Sequence, residues 1–397
     1  MTRCCGAGCL MAIAWLTLGL SSPTSGEPFL PQQDTQVLER LSVKSSDPVA
    51  RELRTLRARL SRNPQDVDVA VSLATKFAAQ ARSLGDPRFL GQAQAILAPW
   101  WNLPTPPPSV LLLRATIRQN AHEFDLALAD LDEVLSRQPT NAQAWLTKAS
   151  ILQVQGRYEE ARGACQPLLR STGRHVALTC LSDIAGLRGQ AALSRDVLTT
   201  SLSRPDISVE ERLWILTILA EVAARTGDQR NAERYFEEAR SIGMKDHYLL
   251  GAYADFLLDQ GRAQDVVALL QRDTRSDGLL LRLALAEQAL HAPASQDHTA
   301  ELAARFAASR ERGTPVHLRE EARFTLALLQ DSRAALLLAQ NNWKIQKEPS
   351  DARLLLECAW AAGNRHAAKP VLEWLDTNHV EGDKLRHLAA RLREERP

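Results

Sequence analysis

The sequence is short of charge of either sign in excess, of aromatic residues, of cysteine, and of any apolar run long enough to span a membrane. Its 48 Lys+Arg stand against 47 Asp+Glu, a formal net charge of +1, and Arg3 supplies one of the positive charges. Without its first segment the chain is neutral. That argues against a nucleic-acid or anionic-membrane binder, which needs a basic excess to displace counterions. Aromatic residues make up 5% and β-branched runs are scarce, while Ala, Leu, Arg, Glu and Gln, the best helix formers, are abundant. An α protein is expected. There is no Gly-x-Gly-x-x-Gly, no Walker phosphate loop and no Gly-x-Ser-x-Gly elbow. No two of the nine histidines sit four apart around a glutamate, and the Cys–His and Cys–Cys spacings fit no metal site. No catalytic residue, metal ligand or cofactor is therefore assigned, and the chain reads as a non-enzyme. An enzyme built on a helical scaffold is the remaining class.

What is present begins with a targeting pattern. Arg3 precedes the apolar run Leu10–Leu20, and the small polar stretch Ser21–Gly26 follows. Eleven apolar residues suit the core of a signal peptide, whereas a spanning helix needs about 20. Residues 1–26 are read as a signal peptide, so the expected location is periplasmic or secreted. The alternative is an uncleaved anchor that tethers an assembly or secretion-pathway accessory factor to the membrane. Cys4, Cys5 and Cys9 precede the apolar run, which argues against a lipid anchor. Cys165, Cys180 and Cys358 remain in the mature chain. Cys165 and Cys180 could pair in an oxidising compartment, but their positions favour small apolar core residues.

At 397 residues the chain exceeds the roughly 250–300 at which a single core stops growing, so it is several domains or a repeat array. Self-similarity decides for the array. Small residues recur at Ala115, Ala149, Ser182, Ala220 and Ala254, spaced 34, 33, 38 and 34 apart. A second track, Ala127, Ala161, Ser194, Ala232 and Val266, keeps the same spacings. So does a third, His122, Gly156, Gly189, Gly227 and Gly261, and an insertion around Pro205 accounts for the long interval. The first two tracks are where paired helices cross closely. The third is a tight turn for which glycine has the right backbone freedom. Leu131, Cys165, Leu198, Phe236 and Leu270 then fill the seam to the next unit.

One unit carries Trp145, Ala149, Leu152, Gly156, Tyr158 and Ala161 in order, and on these residues the chain resembles the tetratricopeptide repeat family. The resemblance implies an all-α, right-handed α-solenoid of antiparallel helix pairs that binds another protein or a peptide segment. It divides the chain into a leader (27–48), N-terminal helices with a divergent repeat (49–99), and a Trp/Pro-rich connector (100–108). Core repeats (109–276), divergent C-terminal repeats (277–378) and a capping helix with tail (379–397) follow, eight or nine units in all. In that family the first helices line a concave groove. The implied groove residues include Asp183, Glu221 and Asp255 at one repeat position and Trp214 and Tyr248 at another, with Arg225 nearby. A row of carboxylates beside aromatic rings suits an extended peptide with basic and apolar side chains. Ordinary solvated surface is the plainer reading of the same residues. The lysine and asparagine of the family's carboxylate clamp are lacking at these positions.

Overall fold

The computed structural model describes residues 48–313 and 317–394, together with Gln33. The expected signal segment and nearly all of the leader lie outside the described residues. Apart from Gln33, the described residues belong to one compact unit, 41–397. Every regular element among them is a helix. After α1 (Pro48–Arg62) come α2 (Val67–Leu84) with α3 (Arg88–Trp101), α4 (Pro108–Asn120) with α5 (Phe124–Arg137), and α6 (Ala142–Val154) with α7 (Tyr158–Cys165). The single turn α8 (Leu168–Ser171) leads to α9 (Arg174–Leu187) with α10 (Ala191–Leu202), α11 (Val209–Arg225) with α12 (Gln229–Ser241), and α13 (His247–Asp259) with α14 (Ala263–Leu270). Then follow α15 (Asp277–Ala289) with α16 (Ala294–Glu311), α17 (Leu318–Ala327) with α18 (Ser332–Ile345), and α19 (Pro349–Ala361) with α20 (Lys369–Asn378). The helix α21 (Asp383–Arg393) closes the series. Nine consecutive pairs make an all-α solenoid.

One backbone device is repeated in all nine pairs. The residue ending the turn inside each pair is left-handed: Gly85, His122, Gly156, Gly189, Gly227, Gly261, His291, Gln330 and Gly363, with φ between 53° and 80°. The next residue then donates its N–H back to a carbonyl of the last helical turn, as Arg157 does to Leu152 (2.8 Å), Asp228 to Ala223 (2.9 Å) and Asn364 to Ala359 (2.9 Å). This is the Schellman closure of a helix C-terminus, which satisfies carbonyls that would otherwise lack partners. At Gln330 the bond reaches one residue further back, from Asp331 to Thr325, so that turn holds an extra residue. The same turn therefore extends the repeat beyond the stretch where sequence spacing is regular.

The residues at the helix crossings are buried. Ala115, Ala127, Ala161, Ala220, Ala232 and Ala254 expose nothing, and Ala149 almost nothing. The seam fillers Leu131, Cys165, Leu198, Phe236 and Leu270 are fully buried as well. Trp145 is half-buried, and its indole N–H donates to the Pro139 carbonyl (2.9 Å). Two expectations need correction. Cys165 and Cys180 are not merely small core residues: they form a disulfide, with Cα atoms 5.8 Å apart, that ties α7 to α9. Repeat position places both against the same seam, which is what brings the sulfurs together. The Trp/Pro connector is also shorter than expected, because Trp100 and Trp101 are the last residues of α3, with Pro99 inside that helix.

Candidate functional site

The first helices of the middle units carry the expected groove residues, and each meets a different environment. On α9, Asp183 accepts a hydrogen bond from Gln153 Nε2 of α6 (3.1 Å). On α11, Glu221 accepts from the Tyr248 hydroxyl of α13 (2.7 Å). Neither carboxylate forms an ion pair with another described residue. Burial pushes the Asp183 carboxyl above its usual range and the Glu221 carboxyl up to about 7. Both keep part of their surface in water, and Tyr248 is 56% exposed. These groups are recessed rather than covered. Arg225 lies near Glu221 and Asp183 and lowers both, but its Nη2 donates to the Gly186 carbonyl (3.0 Å) and its Nε is buried without a partner.

Asp255 of α13 occupies the same repeat position but a different situation. Arg323 of α17 reaches it at 2.6 Å and Arg282 of α15 binds its other oxygen. Burial alone would raise its pKa, but the two guanidinium groups hold the carboxyl well below the usual carboxylate range. One turn further along α13, Asp259 meets Arg353 of α19 (2.7 Å) and Lys384 of α21 (2.9 Å). At the start of α19, Glu348 pairs with Arg319 (2.6 Å) and adds negative potential at Asp183, Glu221 and Tyr248. Side chains of α15, α17, α19 and α21 thus reach back to the carboxylates of α13.

Trp214 is half-buried and packs against the apolar cores on both sides of it, one formed around α4–α9 and the other around α10–α17. It joins two cores, whereas Tyr248 presents its ring to the groove. The structure thus brings Asp183, Glu221, Tyr248 and Arg225 together and engages Asp255 elsewhere. Sequence reasoning missed the cations Arg282, Arg323, Arg353 and Lys384. They lie 27 to 125 residues from their partners, and no repeat spacing relates them to the carboxylates. Among the described residues there is no group of three or more His, Cys, Asp or Glu side chains placed to hold a metal ion, and no helix long and apolar enough to cross a membrane. Cys358 is a buried free thiol, which burial pushes up to about 12.

Residues 120–177, which span the turn and second helix of one unit, the whole of the next and the start of α9, match the family model described as tetratricopeptide repeat. That stretch carries a tetratricopeptide repeat. No curated protein matches its sequence. Among solved structures, the helical solenoid is similar to human IFIT1, in a dimer with m7Gppp-AAAA, at 13% identity and a TM-score of 0.47, covering 87% of each chain. It is similar to a chain of the APC/C hetero-tetramer Cut9-Hcn1 at 15% identity and a TM-score of 0.41, covering 87% of this chain and 53% of that one. It therefore spans about half the length of that chain. The P58(IPK) TPR domain is similar at 15% identity and a TM-score of 0.20, covering 87% and 98%.

Proposed function

We propose that this tetratricopeptide scaffold is exported and holds an extended, basic and apolar segment of another protein against α9, α11 and α13. The observation that carries the reading is the contrast along one row of carboxylates. Asp255 and Asp259 are met by arginine and lysine, whereas Asp183 and Glu221 make no ion pair among the described residues, and Arg225, which lowers both, donates instead to the Gly186 carbonyl. A cationic side chain would find two carboxyl groups without an ion pair there, with the exposed Tyr248 ring beside them. Export is supported by the Arg3–Gly26 pattern and by the Cys165–Cys180 bond, since disulfides persist in oxidising compartments. The reading is of a binding scaffold and assigns no catalytic role.

The linkage between binding and protonation gives the test. Glu221 has its pKa raised to about 7, so at pH 6 it is mostly protonated and at pH 8 ionised. A bound cation favours the ionised form. A labelled peptide of alternating Arg and Leu should therefore bind more tightly at pH 8 than at pH 6, by up to about tenfold. The Glu221→Gln variant should lose that pH dependence. A folded parent that shows no binding at either pH would overturn the groove reading. For export, N-terminal sequencing of the mature chain should begin between residues 22 and 27, and a soluble chain retaining Met1 would overturn it.

A further inference from the structure

We infer that the groove carries a built-in occupant: α17–α21 lay the chain's own cations into the acidic row of α13 and clasp the turns of the middle units, so that a partner segment must compete with them. This rests on the groove reading above and adds its regulation.

Two sets of contacts make the clasp. Within the groove, Arg323 and Arg353 reach Asp255 and Asp259 across one or two intervening first helices, and Lys384 joins them from α21. Along the edge, the turns of four successive middle units each meet the C-terminal arm. Gln346 Nε2 lies 3.0 Å from His122 Nε2, and the Lys347 N–H donates to the Val154 carbonyl (2.8 Å). A Cβ on Gly189 would stand 2.8 Å from the His379 carbonyl oxygen, and one on Gly227 would stand 2.6 Å from Asp383 Oδ2. Glu381 accepts from the Ala191 N–H (3.2 Å). In a solenoid whose units touch only their neighbours these turn edges would face water.

The character of this seam separates a clasp from ordinary core packing. Most of α17–α21 closes around its own apolar core, from Ala322 to Leu392. What joins that core to the core around α4–α9 is mainly polar, with Trp374, its ring tilted toward Tyr158 (ring centroids 6.2 Å), and Ile345 as the apolar contacts. Polar, part-exposed contacts of this kind are individually weak and exchange readily for a competitor's. The arginines of the arm also display the partner chemistry, because guanidinium groups are what the α13 carboxylates already bind.

The experiment uses the full chain in three forms, with the alternating Arg-Leu peptide as probe. In the first, Gly189→Ala wedges the seam open at its edge, since its Cβ would stand 2.8 Å from the His379 carbonyl oxygen. The left-handed turn itself takes a side chain, as His122, His291 and Gln330 occupy the same place in sister units. In the second, Arg323→Gln with Arg353→Gln frees the arm. The parent is the third. If the closed state holds about nine molecules in ten, the freed form should bind the peptide about tenfold more tightly than the parent. The wedged form should also bind more tightly than the parent. Hydrogen exchange at the amides of Lys347 and Ala191 should rise in the freed form before any peptide is added. Equal peptide affinity in all three forms would overturn the clasp and leave the groove reading standing. No affinity in any form, with exchange at Lys347 and Ala191 raised as expected, would overturn the groove reading, and with it the competition proposed here.

Discussion

Asp183 and Glu221 share a repeat position with Asp255, so all three carboxylates are delivered to the same face by equivalent helices. Their electrostatic states are nonetheless opposite. Recess raises the first two, while Arg282 and Arg323 overcome the same cost of burial at the third. The difference extends to what holds each region. The middle units are tied covalently by Cys165–Cys180, and the C-terminal units are tied by ion pairs that cross the concave face. Repeat register fixes where a side chain points, and contacts from far along the chain fix its charge.

The sharpest way to break this comparison is to cut the covalent tie. The disulfide closes a 15-residue separation between α7 and α9, worth about 3 kcal/mol by loop closure. Cys165→Ala with Cys180→Ala should lower stability by that order, and hydrogen exchange should speed up in α6–α9 while α17–α21 change little. Equal acceleration in both regions would show that they are not held separately. Overpacking comes next. Ala220 is fully buried where α11 crosses its neighbours, so Ala220→Leu should cost roughly 1–3 kcal/mol. An unchanged melting temperature would mean that this crossing is looser than its burial implies.

How much of this was legible in the sequence follows from the same distinction. The three tracks of small residues and turns coincide with buried positions such as Ala149 and Ala161 and with left-handed turns such as Gly156, because local crossing and local φ are set within one unit. The turns at His291, Gln330 and Gly363 fall at irregular spacing, so the C-terminal units show as repeats mainly through backbone geometry. The disulfide was one of two open readings, since spacing says which seam two cysteines share but not whether their sulfurs face each other. The Arg323–Asp255 and Arg353–Asp259 pairs were illegible, as their partners are brought together by superhelical curvature and by no sequence period.

The pH dependence of stability sets the two regions against each other. A carboxyl whose folded pKa is raised keeps a proton that the unfolded chain has lost. Glu221 therefore weakens the fold as pH rises from about 4.5 to about 7. Glu221→Gln should stabilise the protein above pH 7 by roughly 1–2 kcal/mol, after allowance for the side chain's partial exposure, and leave it unchanged below pH 4.5. Asp259 has the opposite sign. Burial works against it, but Arg353 and Lys384 lower its pKa, so its contribution is present above the usual carboxylate pKa near 4 and is lost in acid. Thermal melts of the parent, Glu221→Gln and Asp259→Asn across pH 2–8 would check both signs, and a parallel offset of the Gln variant at every pH would refute the assignment to Glu221.

Salt should produce the smallest effect and the most discriminating one. At 1 M ionic strength the screening length falls to about 3 Å, so exposed charge interactions fade whatever their sign. In the C-terminal units the charges that fade are attractive. The Asp255–Arg323 and Asp259–Arg353 pairs keep about a third of their surface in water, at 35%/29% and 27%/36%, and pairs of that kind contribute about 0–1 kcal/mol each. Amide exchange in α19 and α21 should therefore quicken by up to about fivefold in 1 M NaCl. In the middle units the charges that fade are repulsive, since the Asp183 and Glu348 charges help to raise the Glu221 carboxyl and the Glu348 charge helps to raise Asp183. Exchange in α9 and α11 should slow slightly or stay constant under the same conditions. Opposite responses within one chain, read in one experiment, separate an electrostatic difference between the regions from a general effect of salt on folding. A uniform change of either sign would mean that the ion pairs across the concave face contribute nothing to holding it closed.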